Sequence, residues 1–228
     1  MKLKTILIGL AGVVATTAQA TLFEYDFENT NPDVAWTIPD GDPAGFSNSQ
    51  VISGVDAPIN NVSVTIHVSG GYNGDLYGYL VSDSGFAILL NRVGSTAGNP
   101  YGSSGSGLNV TFNDETGSDI HLASTAPGAV LTGTFASDGR NVDPAGALNT
   151  DARTATLSSF NGGSANGTWT LFLADVSPIG QSTLLSWSLD ISVVPEPTTY
   201  ALVGFGLLVA ATGIFRRTLC PAKVKIRR

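Results

Sequence analysis

Strict apolar–polar alternation is the feature that most constrains this 228-residue chain. In the run Ile59 to Val68, positions 62, 64, 66 and 68 are apolar, whereas Ser63, Thr65 and His67 point the other way. A period of two places every apolar side chain on one face of a strand and cannot serve a helix, which needs a period near 3.6. The segment Asp75 to Val81 is again rich in β-branched and aromatic residues, and follows the turn-forming pairs Gly70-Gly71 and Asn73-Gly74. Ser82-Asp83-Ser84-Gly85 then turns the chain into Phe86 to Leu90, so three strands in a meander are expected. Toward the end, Trp169, Leu171 and Leu173 alternate with polar or outward positions, as do Leu185, Trp187, Leu189 and Ile191. Both tryptophans fall on the apolar phase, which assigns them to core packing rather than to a sugar-stacking platform.

Between these groups lies a looser Gly- and Ser-rich stretch, Gly94 to Thr156, with short apolar patches at 108–112 and 129–135. No amphipathic helix and no fixed repeat stands out. Many short strands joined by Gly-rich turns predict an all-β fold, an antiparallel β-sandwich of jelly-roll type.

The ends carry different signals. Lys2 and Lys4 precede an uncharged run closed by Ala18-Gln19-Ala20, the order of a secretory leader with cleavage expected after Ala20. At the other end, Thr198 to Phe215 is uncharged and is followed by Arg216, Arg217 and a basic tail. As a helix this stretch reaches roughly 27 Å, close to the about 30 Å of a hydrocarbon core, and its flanking cations favour a cytoplasmic C-terminus. One C-terminal transmembrane helix over 198–215 is therefore expected. The resulting division is a leader over 1–20, a lead-in over 21–35, a sandwich over 36–193 and a tail over 194–228.

From Thr21 to Val194 seventeen carboxylates stand against Arg92, Arg140 and Arg153, a formal charge of −14. Such a surface repels nucleic acid. It also offers oxygen ligands to a hard cation, and Asp75 and Asp175, each flanking a strand and a turn, are the candidates for calcium. Asp75 has a competing reading as the acceptor that fixes the Asn73-Gly74 bend. The single cysteine, Cys220, lies beyond the apolar tail segment. The body thus has neither a disulfide nor a thiol for catalysis or zinc.

Two resemblances follow from these residues. Pro195-Glu196-Pro197, the apolar run and Arg216-Arg217 together resemble the PEP-CTERM sorting signal of Gram-negative bacteria that make exopolysaccharide. That likeness implies leader removal by signal peptidase and recognition by an exosortase. The product would be delivered to the cell surface or extracellular matrix from an inner-membrane-anchored precursor. The body resembles the P domain (P/Homo B domain) that follows the catalytic domain of subtilisin-like proprotein convertases. Its most specific pieces are Gly74-Asp75-Leu76 and Asn166-Gly167-Thr168-Trp169, supported by Leu185-Ser186-Trp187-Ser188-Leu189. The P-domain likeness implies a jelly roll that stabilises a neighbouring serine protease, with catalysis belonging to the neighbour.

Catalytic residues are expected to be none. A serine nucleophile needs a histidine base within hydrogen-bond reach, and only His67 and His121 exist. His67 sits on the polar face of its strand, and no partner for His121 can be named. Gly102-Ser103-Ser104-Gly105-Ser106-Gly107 lacks the Gly-x-Ser-x-Gly elbow and reads as a loop. The first expectation for function is a non-catalytic exported module that binds exopolysaccharide or a surface protein. The alternative is an accessory domain that stabilises a separately encoded subtilisin-like serine endopeptidase.

Overall fold

The computed structural model describes residues 19–31 and 33–194, together with Gly206. The leader up to Ala18, the Pro195-Glu196-Pro197 motif, the expected span apart from Gly206, and the basic tail lie outside the described residues; Gln19 and Ala20 are exposed just before the first strand. Among the described residues no helix is long and apolar enough to cross a membrane.

The strand written most clearly in the sequence lies near the middle of the larger sheet. That strand, β4 (Ile59–Gly70), buries Val62, Val64 and Ile66 completely and Val68 almost so. It pairs antiparallel with β11 (Ser182–Val193), whose outer neighbours are β1 (Thr21–Glu28) and the short β2 (Trp36–Ile38). On its other side β4 pairs with β7 (Leu108–Phe112), followed by β9 (Leu131–Ala136) and β8 (Ser118–Asp119). The second sheet has the order β3-β10-β5-β6, with β3 (Asp42–Ile52), β5 (Leu76–Ser82), β6 (Gly85–Asn91) and β10 (Gly167–Asp175). Inward-facing residues of both sheets join in one core, where Val64, Ile66 and Leu189 share a cluster with Leu80, Trp169 and Leu171. The all-β, two-sheet architecture expected from the alternation is present.

Four details depart from the sequence reading. First, the sheet is not wholly antiparallel: β9 runs parallel to both β7 and β8. A parallel return needs a crossover of about a dozen residues or more, and the stretch from Asn113 to Val130 supplies it. Second, β4, β5 and β6 are not one meander. Gly70 and Gly71, with φ of +74° and +70°, and a 3-10 turn at Asn73–Asp75 lead the chain from one sheet to the other. Only β5 and β6 form the hairpin, closed by Asp83-Ser84 between paired Ser82 and Gly85. Third, Leu185 is not in the core. The β11 register shifts between Leu184 and Ser186, which leaves Leu185 52 % exposed while Leu184 and Trp187 both face inward; a bulge changes strand phase in this way. Fourth, the lead-in is structural: β1 pairs with β11 along its whole length, from Thr21 opposite Val193 to Glu28 opposite Ser186.

Candidate functional site

The stretch that looked loose holds the most concentrated charge in the body. His121 closes a 3-10 turn, Ile120–Leu122, capped by Asp119, whose side chain accepts from the His121 backbone N–H. The imidazole is 1 % exposed. Its Nδ1 meets Asp138 Oδ2 at 2.8 Å, and its Nε2 meets the Ser95 carbonyl oxygen at 2.8 Å. A carbonyl can only accept, so Nε2 carries a proton; a carboxylate that faces Nδ1 completes an imidazolium with two donors. Burial pulls the imidazole pKa down, but the hydrogen bond and charge of Asp138 and the Ser95 carbonyl outweigh it, and the net shift is upward.

Arg140 extends the network. Its guanidinium donates to Asp119 Oδ2 at 2.7 Å and to Asp138 Oδ1 at 3.3 Å, and it also caps the carbonyls of Leu148 and Asn149. Burial opposes the Arg140 charge, yet Asp119 and Asp138 hold it firmly protonated. Arg153 donates to the backbone oxygens of Ser137 and Asp138. Three chain segments far apart in sequence are thereby pinned beside β6, where Asp138 N–H also donates to Leu89.

This constellation has the His–Asp half of a triad but not its chemistry. A general base needs a free lone pair, and both His121 nitrogens are donors. The oxygen at Nε2 belongs to a backbone carbonyl, and the Ser95 hydroxyl donates elsewhere, to Ala147. His67 is equally unassembled. It lines a cavity of about 150 Å³ on the outer face of the larger sheet with Asp26, Glu28, Thr65, Ser186 and Ser188. Among the described residues its ring makes no hydrogen bond to a serine or carboxylate.

The two calcium candidates are neighbours. Asp175 pairs in register with Leu76, and the Val176 N–H donates to the Asp75 carbonyl. Asp175 is 1 % exposed and accepts one backbone bond, from Ser177. Burial, aided by the charges of Asp75 and Asp40, pushes its pKa up to about 6. Burial also raises Asp75, against the pull of Ser177 and Arg92. Calcium takes six to eight oxygens, whereas the Arg92 guanidinium already lies 3.8 Å from Asp75. Among the described residues no three His, Cys, Asp or Glu side chains converge to hold a metal, so the donor set does not assign calcium here. Within the Asn73–Asp75 turn the Asp75 backbone N–H donates to the Tyr72 carbonyl, while its own carbonyl is taken by Val176.

Sequence reasoning could not find the His121 network, because Asp138 and Ser95 lie 17 and 26 residues away in segments without periodicity. Trp169 and Trp187 are core residues, 0 % and 1 % exposed.

No family model matches the chain, and no curated protein matches it. Among solved structures it is similar to a chain in the complex of Aeromonas sobria serine protease (ASP) with the chaperone ORF2. That likeness is at 18 % identity and a TM-score of 0.44, over 78 % of this chain and 28 % of that one. A second structure, the serine protease of Aeromonas sobria, shows 18 % identity and a TM-score of 0.40 over the same shares. This chain thus spans little more than a quarter of the chains it is similar to.

Proposed function

We propose that the exported body is a non-catalytic β-sandwich module that docks on and stabilises a separately encoded subtilisin-like serine endopeptidase. The observation that carries the non-catalytic part is His121, whose two ring nitrogens are both spent as donors. The partner class rests on the P-domain likeness. Its two specific pieces sit at structural joints: Gly74 and Asp75 turn the chain between sheets, and Asn166 clamps Val55 through both its amide oxygen and its amide nitrogen. Residues this specific that fasten a sandwich, rather than surround a nucleophile, suit a stabilising domain.

Export is the route to that partner. Cleavage after Ala20 and release near Pro195 would leave every strand among the described residues intact, because β1 begins at Thr21 and β11 ends at Val193. Mass spectrometry of the mature surface form should find Thr21 at the N-terminus and a C-terminus near Pro195; a mature chain that keeps Arg216-Arg217 would overturn the sorting step. The partner reading is tested by the thermal inactivation of a subtilisin-like endopeptidase exported by the same cells. The full chain should lengthen its half-life. No change in half-life, together with recovery of exopolysaccharide on the chain, would favour the adhesive role instead.

A further inference from the structure

The outer faces of the two sheets differ in kind. On the larger sheet, Glu24 faces Asp190, Asp26 faces Ser188 and Glu28 faces Ser186, a face of carboxylates and hydroxyls suited to water. The smaller sheet is the opposite. Across β3, β10 and β5 one outward row reads Ser47, Phe172, Tyr79, and the next reads Ser49, Thr170, Val81 and then Phe86 on β6. Neither row carries a charge, in a body with twenty charged side chains. Tyr77, Tyr79, Phe86 and Phe172 are only half-buried and lie against one another.

The patch is also pre-shaped. Gly45 has φ of +58°, and a Cβ there would lie 2.6 Å from the Phe172 ring. The ring therefore lies against the Gly45 backbone and stacks on Tyr79 at 4.6 Å and 14°. Depletion of charge around half-exposed aromatic residues is the compositional mark of a protein interface, and rigid aromatic anchors are its usual energetic centre.

We infer that the outer face of the β3-β10-β5-β6 sheet, centred on Tyr79 and Phe172, is the docking face for a protein with an apolar surface that is basic around its rim. The inference rests on the accessory-module reading, under which that protein is the endopeptidase. Ring geometry argues against a sugar: a pyranose stacks on an open ring face, whereas Tyr79 and Phe172 turn their faces to each other and Phe86 and Tyr77 flank them. Charge argues against a second copy, since each body carries a formal −14 and a pair would bring like fields together. A basic-rimmed partner meets apolar rings at the centre and, at the margins of the sheet, the exposed carboxylates of Asp42 at the start of β3 and Asp83 in the β5–β6 turn.

The test is site-specific photocrosslinking in cells that export the full chain, with p-benzoylphenylalanine at Tyr79 or, as control, at Ser188 on the opposite sheet. The expected result is an adduct to a subtilisin-like endopeptidase from position 79 and none from position 188. An adduct from position 79 to a different exported protein whose contact surface is apolar with a basic rim upholds the docking face and overturns the accessory reading. Adducts to a second copy or to polysaccharide, equal labelling from position 188, or no adduct overturn the docking face. As a second measurement, the full-length double variant Tyr79→Ser, Phe172→Ser should bind the captured protein about tenfold more weakly or worse, while Ser188→Ala should bind it unchanged. Equal binding by both variants overturns the proposal.

Discussion

His121 holds together three segments by donating from both ring nitrogens, so its removal leaves the Ser95 carbonyl and one Asp138 oxygen without their partner. Arg140 still faces Asp138 at 3.3 Å and limits the damage. His121→Ala should therefore cost about 3 kcal/mol, roughly 6–12 °C of melting temperature for a body of this size. Because the imidazolium is stabilised in the folded state, its contribution is complete below the ordinary histidine pKa of 6.5 and is lost as pH rises through the raised folded value. Melting curves from pH 6 upward should fall in the wild type and be flatter in His121→Ala. Asp175 makes stability fall in the same direction with pH but for the reverse cause, since its charged form is the one that burial disfavours. Its folded pKa of about 6 lies above the ordinary 3.8, so the folded state holds the proton more tightly and stability declines as pH rises from about 4 to 6. Asp175→Asn, which keeps an acceptor for Ser177, should stabilise the body by about 1–3 kcal/mol at pH 7.5 and by nothing at pH 4. A melting temperature that rises with calcium in the wild type and not in Asp175→Asn would show that a cation neutralises this carboxylate instead.

At the scale of the elements, β1 is the edge that shields β11. Phe27 packs on Trp187 at 4.5 Å, and eight register pairs run from Thr21 to Glu28. A full-length precursor lacking residues 21–28 should expose a long, one-faced strand to pairing with other chains. Its expected behaviour is oligomerisation on size-exclusion chromatography and a lower melting temperature. The central elements could be read from the alternation itself: β4 and β10 bury the predicted residues because a two-residue period leaves no second arrangement. The crossover to β9, the bulge at Leu185 and the jump between sheets at Gly70-Gly71 were not legible. Each depends on which strand lies next door, and local pattern carries no such information. His121 was hidden for the same reason, since its partners are chosen by the packing of loops on β6 rather than by spacing.

Across the whole molecule, charge is arranged by surface. The seventeen carboxylates of the body against its three arginines give it a net negative field, which one uncharged aromatic face, centred on Tyr79 and Phe172, interrupts.

 That field sets both the stability and the reach of the body. Like charges repel within it, and salt screens them over a Debye length of about 10 Å at 0.1 M. Raising salt from 20 mM to 500 mM should therefore raise the melting temperature of the protein alone. The same screening should slow its association with a basic-rimmed partner, while the dissociation rate, set by the buried rings, changes little. Stopped-flow mixing with the captured partner at the two salt concentrations measures both rates. A slower association with an unchanged dissociation rate is the signature of an apolar anchor reached through a charged surround. A dissociation rate that rises steeply with salt would mean that carboxylates, rather than Tyr79 and Phe172, hold the complex.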